Sequence, residues 1–181
     1  MTPRGLVLDP RGIRTAKESA RPLPEGGLRL EGLRIGIRHD GAWRSWTCVS
    51  EEWARRLSEA GAAVHFWRSG SRVGEEAARL EEEQQHFYEA SDLVIAGLCN
   101  CGSCTMQTVR DAVGAVERGI PAVVAATGQF EGLARRLAQD WGHPNLPLVA
   151  LPYALETRPV DEVRVVARDS YETLLRSVNA T

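Results

Sequence analysis

From Leu33 onward the chain alternates short apolar runs with longer stretches whose apolar residues recur at helical spacing. Leu33 to Arg38 is a β-type run, and Ser50 to Ala60 places Trp53, Ala54 and Leu57 on one helical face before a stop at Gly61. Ala63 to Trp67 predicts a second strand. Glu75 to Tyr88 predicts a charged amphipathic helix whose run Glu81-Glu82-Glu83 reads as a solvated face rather than a site. Asp92 to Leu98 is apolar at nearly every position, the pattern of a strand covered on both faces. A helix from Ser103 to Arg118 carries Val109, Ala112, Val113 and Val116 on one side, with Gly119 placed as its C-terminal cap. Ile120 to Ala126, Gly132 to Trp141, Leu148 to Leu151 and Val160 to Val178 then predict strand, helix, strand and helix. Five strands interleaved with helices make an α/β fold, a three-layer doubly wound parallel sheet with flavodoxin-like strand order 2-1-3-4-5.

The beginning of the chain breaks this rhythm. Pro3, Pro10, Pro22 and Pro24, with Gly5, Gly12, Gly26 and Gly27, leave no sustained period, so residues 1–31 read as an irregular arm and 32–181 as one α/β domain. The apolar piece Leu6-Val7-Leu8 is expected to dock on the domain or on a second subunit. The whole chain has 181 residues and 43% hydrophobic content, which suits one domain with a real core. A formal net charge of -2 offers no attraction to nucleic acid or anionic lipid, leaving a small molecule as the default ligand. No run approaches the roughly 18 apolar residues of a membrane span. The start also lacks the apolar core of a signal peptide, and the expected compartment is the cytoplasm.

Chemistry concentrates in Cys99-Asn100-Cys101-Gly102-Ser103-Cys104, which holds three of the four cysteines and forms the loop after the third strand. Doubly wound sheets bind ligands at the carboxyl ends of the strands where the winding reverses, here between strands one and three. The loop after strand one, His39 to Cys48, is expected to bring the fourth cysteine toward the other three. Cys101 and Cys104 open a helix, where peptide N–H groups and the helix dipole favour thiolate. Their spacing also lies within disulfide reach, roughly 5 to 6 Å between Cα atoms. They can therefore interconvert between dithiol and disulfide, with Cys101, just ahead of the helix, the more reactive and Cys104 the more shielded. Ser103 is placed to cap the helix, and Gly102 allows close approach of the backbone. Two other readings use the same residues: buried structural thiols, and a metal held by Cys99, Cys101 and Cys104 with Cys48 or His39 as fourth ligand. A second Cys-x-x-Cys, usual in structural zinc sites, is missing from the sequence. Arg44, with Trp43 and Trp46, is a candidate carboxylate clamp. Thr127, Gln129 and Tyr153 follow the last two strands onto the same rim, while His65, His86 and His143 have no partner at ligand spacing.

Cys101-Gly102-Ser103-Cys104-Thr105, then Gly119-Ile120-Pro121, Thr127, Pro144-Asn145-Leu146-Pro147 and Pro152, resemble the UGSC family of selenoproteins and their cysteine homologues. That family is similar in turn to the selenocysteine-bearing B component of glycine, sarcosine and betaine reductases. The likeness spans about Leu33 to Val178. It implies a chalcogen nucleophile at Cys101, where the family often has selenocysteine, and a resolving thiol at Cys104. Cys48 and Cys99 are thiols beyond the family pattern, read from their place in the fold as second-line thiols with Cys48 among the catalytic candidates, and Arg44, Thr105, Thr127 and Tyr153 are the expected substrate contacts. The implied enzyme acts on a small molecule by reductive elimination or by cleaving a C–S, C–N or C–halogen bond. It would use a thiol reductant and no cofactor, and the homo- or hetero-oligomeric state is open. Where the family commonly has Pro-His-Pro-Leu-Gly, this chain has Pro152-Tyr153-Ala154-Leu155-Glu156, which removes the imidazole from any histidine-assisted step. The alternatives are a metal- or sulfur-binding protein using the cysteine cluster, with a thiolate-bound metal ion, and a non-catalytic subunit joined to a heteromer through its proline-rich arm.

Overall fold

A computed structural model describes residues 27–70, 74 and 76–180 of the chain. The arm up to residue 26, with Leu6, Val7 and Leu8, lies outside the described residues. The elements run β1 (Arg34–His39), α1 (Arg44–Glu59), β2 (Ala63–Arg68), α2 (Glu76–Glu89), β3 (Leu93–Cys99), α3 (Gly102–Val116), β4 (Ala122–Thr127), α4 (Gly128–Asp140), β5 (Leu148–Leu151) and α5 (Val160–Ser177). All strand pairs are parallel, and the sheet order is β2-β1-β3-β4-β5, the flavodoxin-like winding expected from the pattern. Among the described residues no helix is long and apolar enough to cross a membrane.

Alternation along the central strands divides the interior into two cores. Leu93 and Ile95 of β3, with Ile35 and Ile37 of β1, face a core closed by α1 and α5. Val94 and Ala96, with Val124 and Ala126 of β4, face a core closed by α2, α3 and α4. Every residue of β3 and β4 is buried, which is why both read as unbroken apolar runs. Residues 27–31 of the expected arm include two core members: Leu28 and Leu30 are buried in the first core, and Leu28 forms a parallel bridge with Ala180.

Three boundaries differ from the sequence reading in ways that matter for the site. α1 begins at Arg44 instead of Ser50, because Trp46 and Val49 extend the stripe of Trp53 and Leu57 back by two turns. The loop after β1 therefore shrinks to Asp40–Trp43, and Cys48 is a helical residue. α4 follows β4 without a loop, starting at Gly128 with Thr127 as its N-cap, so Gln129 sits in a first turn. α3 starts one residue early, at Gly102.

The tightest passage in the fold lies just before the cysteine cluster. A Cβ added to Gly97 of β3 would stand 2.4 Å from the Trp46 ring, which packs across the strand from α1. The Trp46 indole N–H donates to the Arg38 carbonyl at 3.2 Å, so the ring cannot swing away without losing that bond. Gly97→Ala should therefore destabilise the protein by about 1–3 kcal/mol in chemical denaturation. Gly132→Ala, inside α4 with nothing within 4 Å of the new methyl, should stabilise it by about 0.5–1 kcal/mol. Equal effects at the two positions would contradict this packing.

Candidate active site

The end of β3 delivers the cysteines to the rim of the sheet, and α3 carries them back over it. Cys101 is the N-cap of α3, with extended backbone (φ -151°, ψ 169°), and its Sγ accepts the Cys104 backbone N–H at 3.1 Å. Cys101 and Cys104 are joined in a disulfide, with Cα atoms 5.2 Å apart. Ser103, expected as the cap, instead lies within the first turn, its Oγ 3.5 Å from Cys101 Sγ, because the helix starts ahead of it. Gly102 and Ser103 are exposed and both bridged cysteines are half-buried, so burial alone does not rank the two sulfurs. Their positions differ: Cys101 Sγ is the atom that accepts a helix N–H, that of Cys104.

Two threonines brace this turn from below. Thr105 is fully buried and its Oγ1 donates to the Cys101 carbonyl at 2.6 Å. Thr127, also fully buried, places Oγ1 3.3 Å from the Cys99 carbonyl and 3.1 Å from Asn100 Oδ1.

The remaining thiols occupy different surroundings. Cys99 is fully buried at the end of β3, and burial pushes its thiol up to about 12 although the Arg38 charge and the Thr105 and Thr108 hydroxyls pull the other way. Cys48 lies in the second turn of α1, a free and partly buried cysteine packed on the α1/α5 core, whereas α3 covers the opposite face. Of the three clustered cysteines, Cys101 and Cys104 are bridged and Cys99 is a buried thiol. Among the described residues no group of three or more His, Cys, Asp or Glu is arranged to hold a metal ion.

One feature under the site went unread in the sequence. Arg38 of β1 is 1% exposed and spends its guanidinium on three partners: Asp111 Oδ2 at 2.8 Å, Thr108 Oγ1 at 3.0 Å and the Gly97 carbonyl at 3.0 Å. Asp111 is equally buried; its Oδ1 accepts from Gln84 and its carbonyl from Tyr88 of α2. A trace existed in the sequence, since Thr105, Thr108 and Asp111 recur at helical spacing beside the apolar stripe of α3.

On the rim, Arg44 is engaged by the chain itself. Its guanidinium donates to the carbonyls of Glu156 and Arg158 at 2.9 and 2.8 Å, and the Glu156 carboxylate accepts the Ser45 N–H at 2.9 Å. Tyr153 is 57% exposed in the β5–α5 loop. A groove of about 490 Å³ between α2 and the later turns of α3, lined by Gln84, Tyr88, Asp111 and Arg118, lies away from the disulfide.

Fold and site together define a doubly wound, flavodoxin-like α/β protein with a Cys-x-x-Cys bridge at the start of the helix after its third strand. The chain belongs to the UGSC family, which matches it over residues 6–180. No curated protein matches the chain. Among solved structures it is similar to an NAD(P)H:quinone oxidoreductase from Methanothermobacter marburgensis, with 16% identity, 78% of this chain and 97% of that one covered, and a TM-score of 0.49. It is also similar to a flavo di-iron protein from Thermotoga maritima, with 12% identity, 81% and 37% covered, and a TM-score of 0.47. A diflavin flavoprotein from Nostoc sp. shares 9% identity, with 81% and 94% covered and a TM-score of 0.44. These likenesses are weak and concern the path of the chain alone.

Two measurements test the electrostatics beneath the site. Arg38→Met strips the guanidinium from the buried Asp111 carboxyl, and should cost about 3–5 kcal/mol, while the Arg38→Met/Asp111→Leu double variant should recover most of that loss. Additive losses in the double variant would show that the pair does not act as a unit. Burial holds His39 and His65 below the usual imidazole range, with Arg68 and Arg38 near His39 and Arg34 near His65 pushing the same way against Asp40 at His39 and the Phe87 backbone hydrogen bond at His65. The unfolded chain therefore binds more protons than the folded one once pH drops below about 6.5. The melting temperature should be level between about pH 7 and 8 and fall below 6.5, and His39→Gln should flatten part of that fall.

Proposed function

We propose that this protein is a thiol-dependent redox enzyme acting on a small molecule, with Cys101 as nucleophile and Cys104 as resolving thiol. The observation that carries the reading is the Cys101–Cys104 bridge at the N-terminus of α3, half-exposed, with Cys101 Sγ already receiving a helix N–H. That arrangement favours the Cys101 thiolate once the bridge is reduced. In reductive cleavage, the thiolate attacks a carbon bearing a leaving group, the C–S bond forms, and the leaving group departs with its electron pair. The Cys104 thiolate then attacks Cys101 Sγ, the S–S bond forms, and the released carbon takes a proton. The substrate gains two electrons, the dithiol loses two, and an external thiol reductant restores the pair. Cys99 stands outside this cycle because its buried thiol stays protonated at neutral pH. Cys48 is left as a second-line thiol, held against the α1/α5 core.

On the rim, Thr105 and Thr127 act by holding the cysteine turn, and the exposed Tyr153 ring and the Arg44 region are left to meet the substrate. After reduction, mild alkylation at neutral pH should label Cys101 first and Cys104 more slowly, and leave Cys99 unlabelled, as read by mass spectrometry. Cys101→Ser should abolish turnover of a cleavable substrate, and Cys104→Ser should trap the Cys101 adduct. Full activity in Cys101→Ser, or thiols that resist alkylation until a chelator is added, would replace this reading with metal binding.

A further inference from the structure

At the start of α1 two buried side-chain polar atoms have no hydrogen-bond partner among the described residues. Ser45 is fully buried and its Oγ has no hydrogen-bond partner; the Trp43 indole Nε1, also shielded from solvent, has none. Buried polar atoms are normally paired, so each orphan needs an explanation. Both flank Arg44 at the mouth of β1, next to the strand that carries the cysteine turn.

The same turn already holds one anion. The Glu156 carboxylate accepts the Ser45 N–H through Oε2 at 2.9 Å, with Oε1 3.9 Å from Arg44 Nε. α1 has no acidic residue in its first turn and no side-chain cap of its own, so this distant glutamate answers the positive end of the helix. Its grip is partial. The ion pair is long, and Ser45 Oγ, only a few bonds from the N–H that holds the carboxylate, stays unpaired. The Arg44 guanidinium is steadied by its bonds to the Glu156 and Arg158 carbonyls, so its charge is fixed in place ahead of any ligand. The opposing charge on the β1–α1 loop, Asp40, is turned to the Ala42 N–H and lies 3.8 Å from Arg38.

We infer that the first turn of α1 is an oxyanion seat in which Glu156 stands in for the carboxylate or phosphate group of a small-molecule ligand. The ligand's group takes the Glu156 position on Ser45 N–H and Arg44, and its further oxygens accept from Ser45 Oγ and Trp43 Nε1. The inference rests on the thiol reading only for the ligand's use: an anion anchored at the mouth of β1 shares its crevice with the Cys101–Cys104 turn at the mouth of β3.

The test titrates inorganic phosphate and acetate, at constant ionic strength set with chloride, into the unmodified protein, Glu156→Ala and Glu156→Gln. Binding is read by tryptophan fluorescence, since Trp43 and Trp46 border the seat, and by melting temperature. Removing the internal competitor should tighten anion binding by about tenfold, and adding Arg44→Met to Glu156→Gln should weaken it by about tenfold or more. Tighter phosphate binding would assign a phosphate ligand, and tighter acetate binding a carboxylate. If neither anion changes the fluorescence or melting of either Glu156 variant, or if binding ignores Arg44→Met, the orphans are filled by water and the seat is refuted. The glutathione equilibrium of Cys101–Cys104, measured in the unmodified protein, reads the thiol function separately: its failure beside intact anion binding would remove that function and leave the seat.

Discussion

A guanidinium sunk inside the sheet determines how the two sides of the crevice meet. Arg38 leaves β1 toward the α2/α3/α4 core and finds its partners on β3 and α3: the Gly97 carbonyl, Thr108 and Asp111. Burying a charge is expensive unless every donor is answered, and one misplaced partner would leave an ion in an apolar interior. α3 therefore cannot slide along β3. Gly97 precedes the cysteine cluster and Thr108 lies one turn beyond Cys104, so the same ion brackets the cysteine turn from both sides. Trp46 completes the bracket from the other face, packed against Gly97 and bonded to the Arg38 carbonyl. The rim inherits its geometry from a charge that never reaches it.

Within that frame, three cysteines within six residues acquire unlike chemistry. Cys99 is the last residue of a strand covered on both faces, and burial keeps it a thiol. Cys101, two residues later, has left the sheet and stands where the helix exposes its unpaired N–H groups. Cys104 is one turn along, facing Cys101 at bridging distance. The spacing Cys-x-Cys-x-x-Cys thus crosses from strand interior to helix cap to first turn, and each step changes which form of sulfur is favoured.

The strand order and the rhythm of elements were legible because β3 and β4 are apolar throughout and the helices carry clean stripes. What escaped was polar or began early. Arg38 sits where alternation with Ile35 and Ile37 marks the opposite side of a strand, and a charged residue there reads as solvent-facing until the second core is known. Trp46 and Val49 were present to extend α1, yet the glycine and polar residues between Asp40 and Ser45 masked the turn. Those two missing turns misplaced Cys48 in a loop. Glu156, which caps α1 from the far end of the chain, pairs with Ser45 across more than a hundred residues, and periodicity is blind to such contacts.

The threonines of the rim show why residue type and strand position define a site only in part. Thr105 and Thr127 sit where substrate contacts were expected, yet both hydroxyls turn inward to carbonyls and Asn100 of the cysteine loop. A loop of three cysteines offers few side chains that can anchor it, so its backbone carbonyls are answered by Thr105 of α3 and Thr127 at the end of β4. The two hydroxyls that hold the cysteine turn are therefore committed to the chain itself. The polar groups of the rim that do not brace that turn lie at the start of α1 and in the β5–α5 loop. There Arg44 and Glu156 already bind each other across the same edge of the sheet.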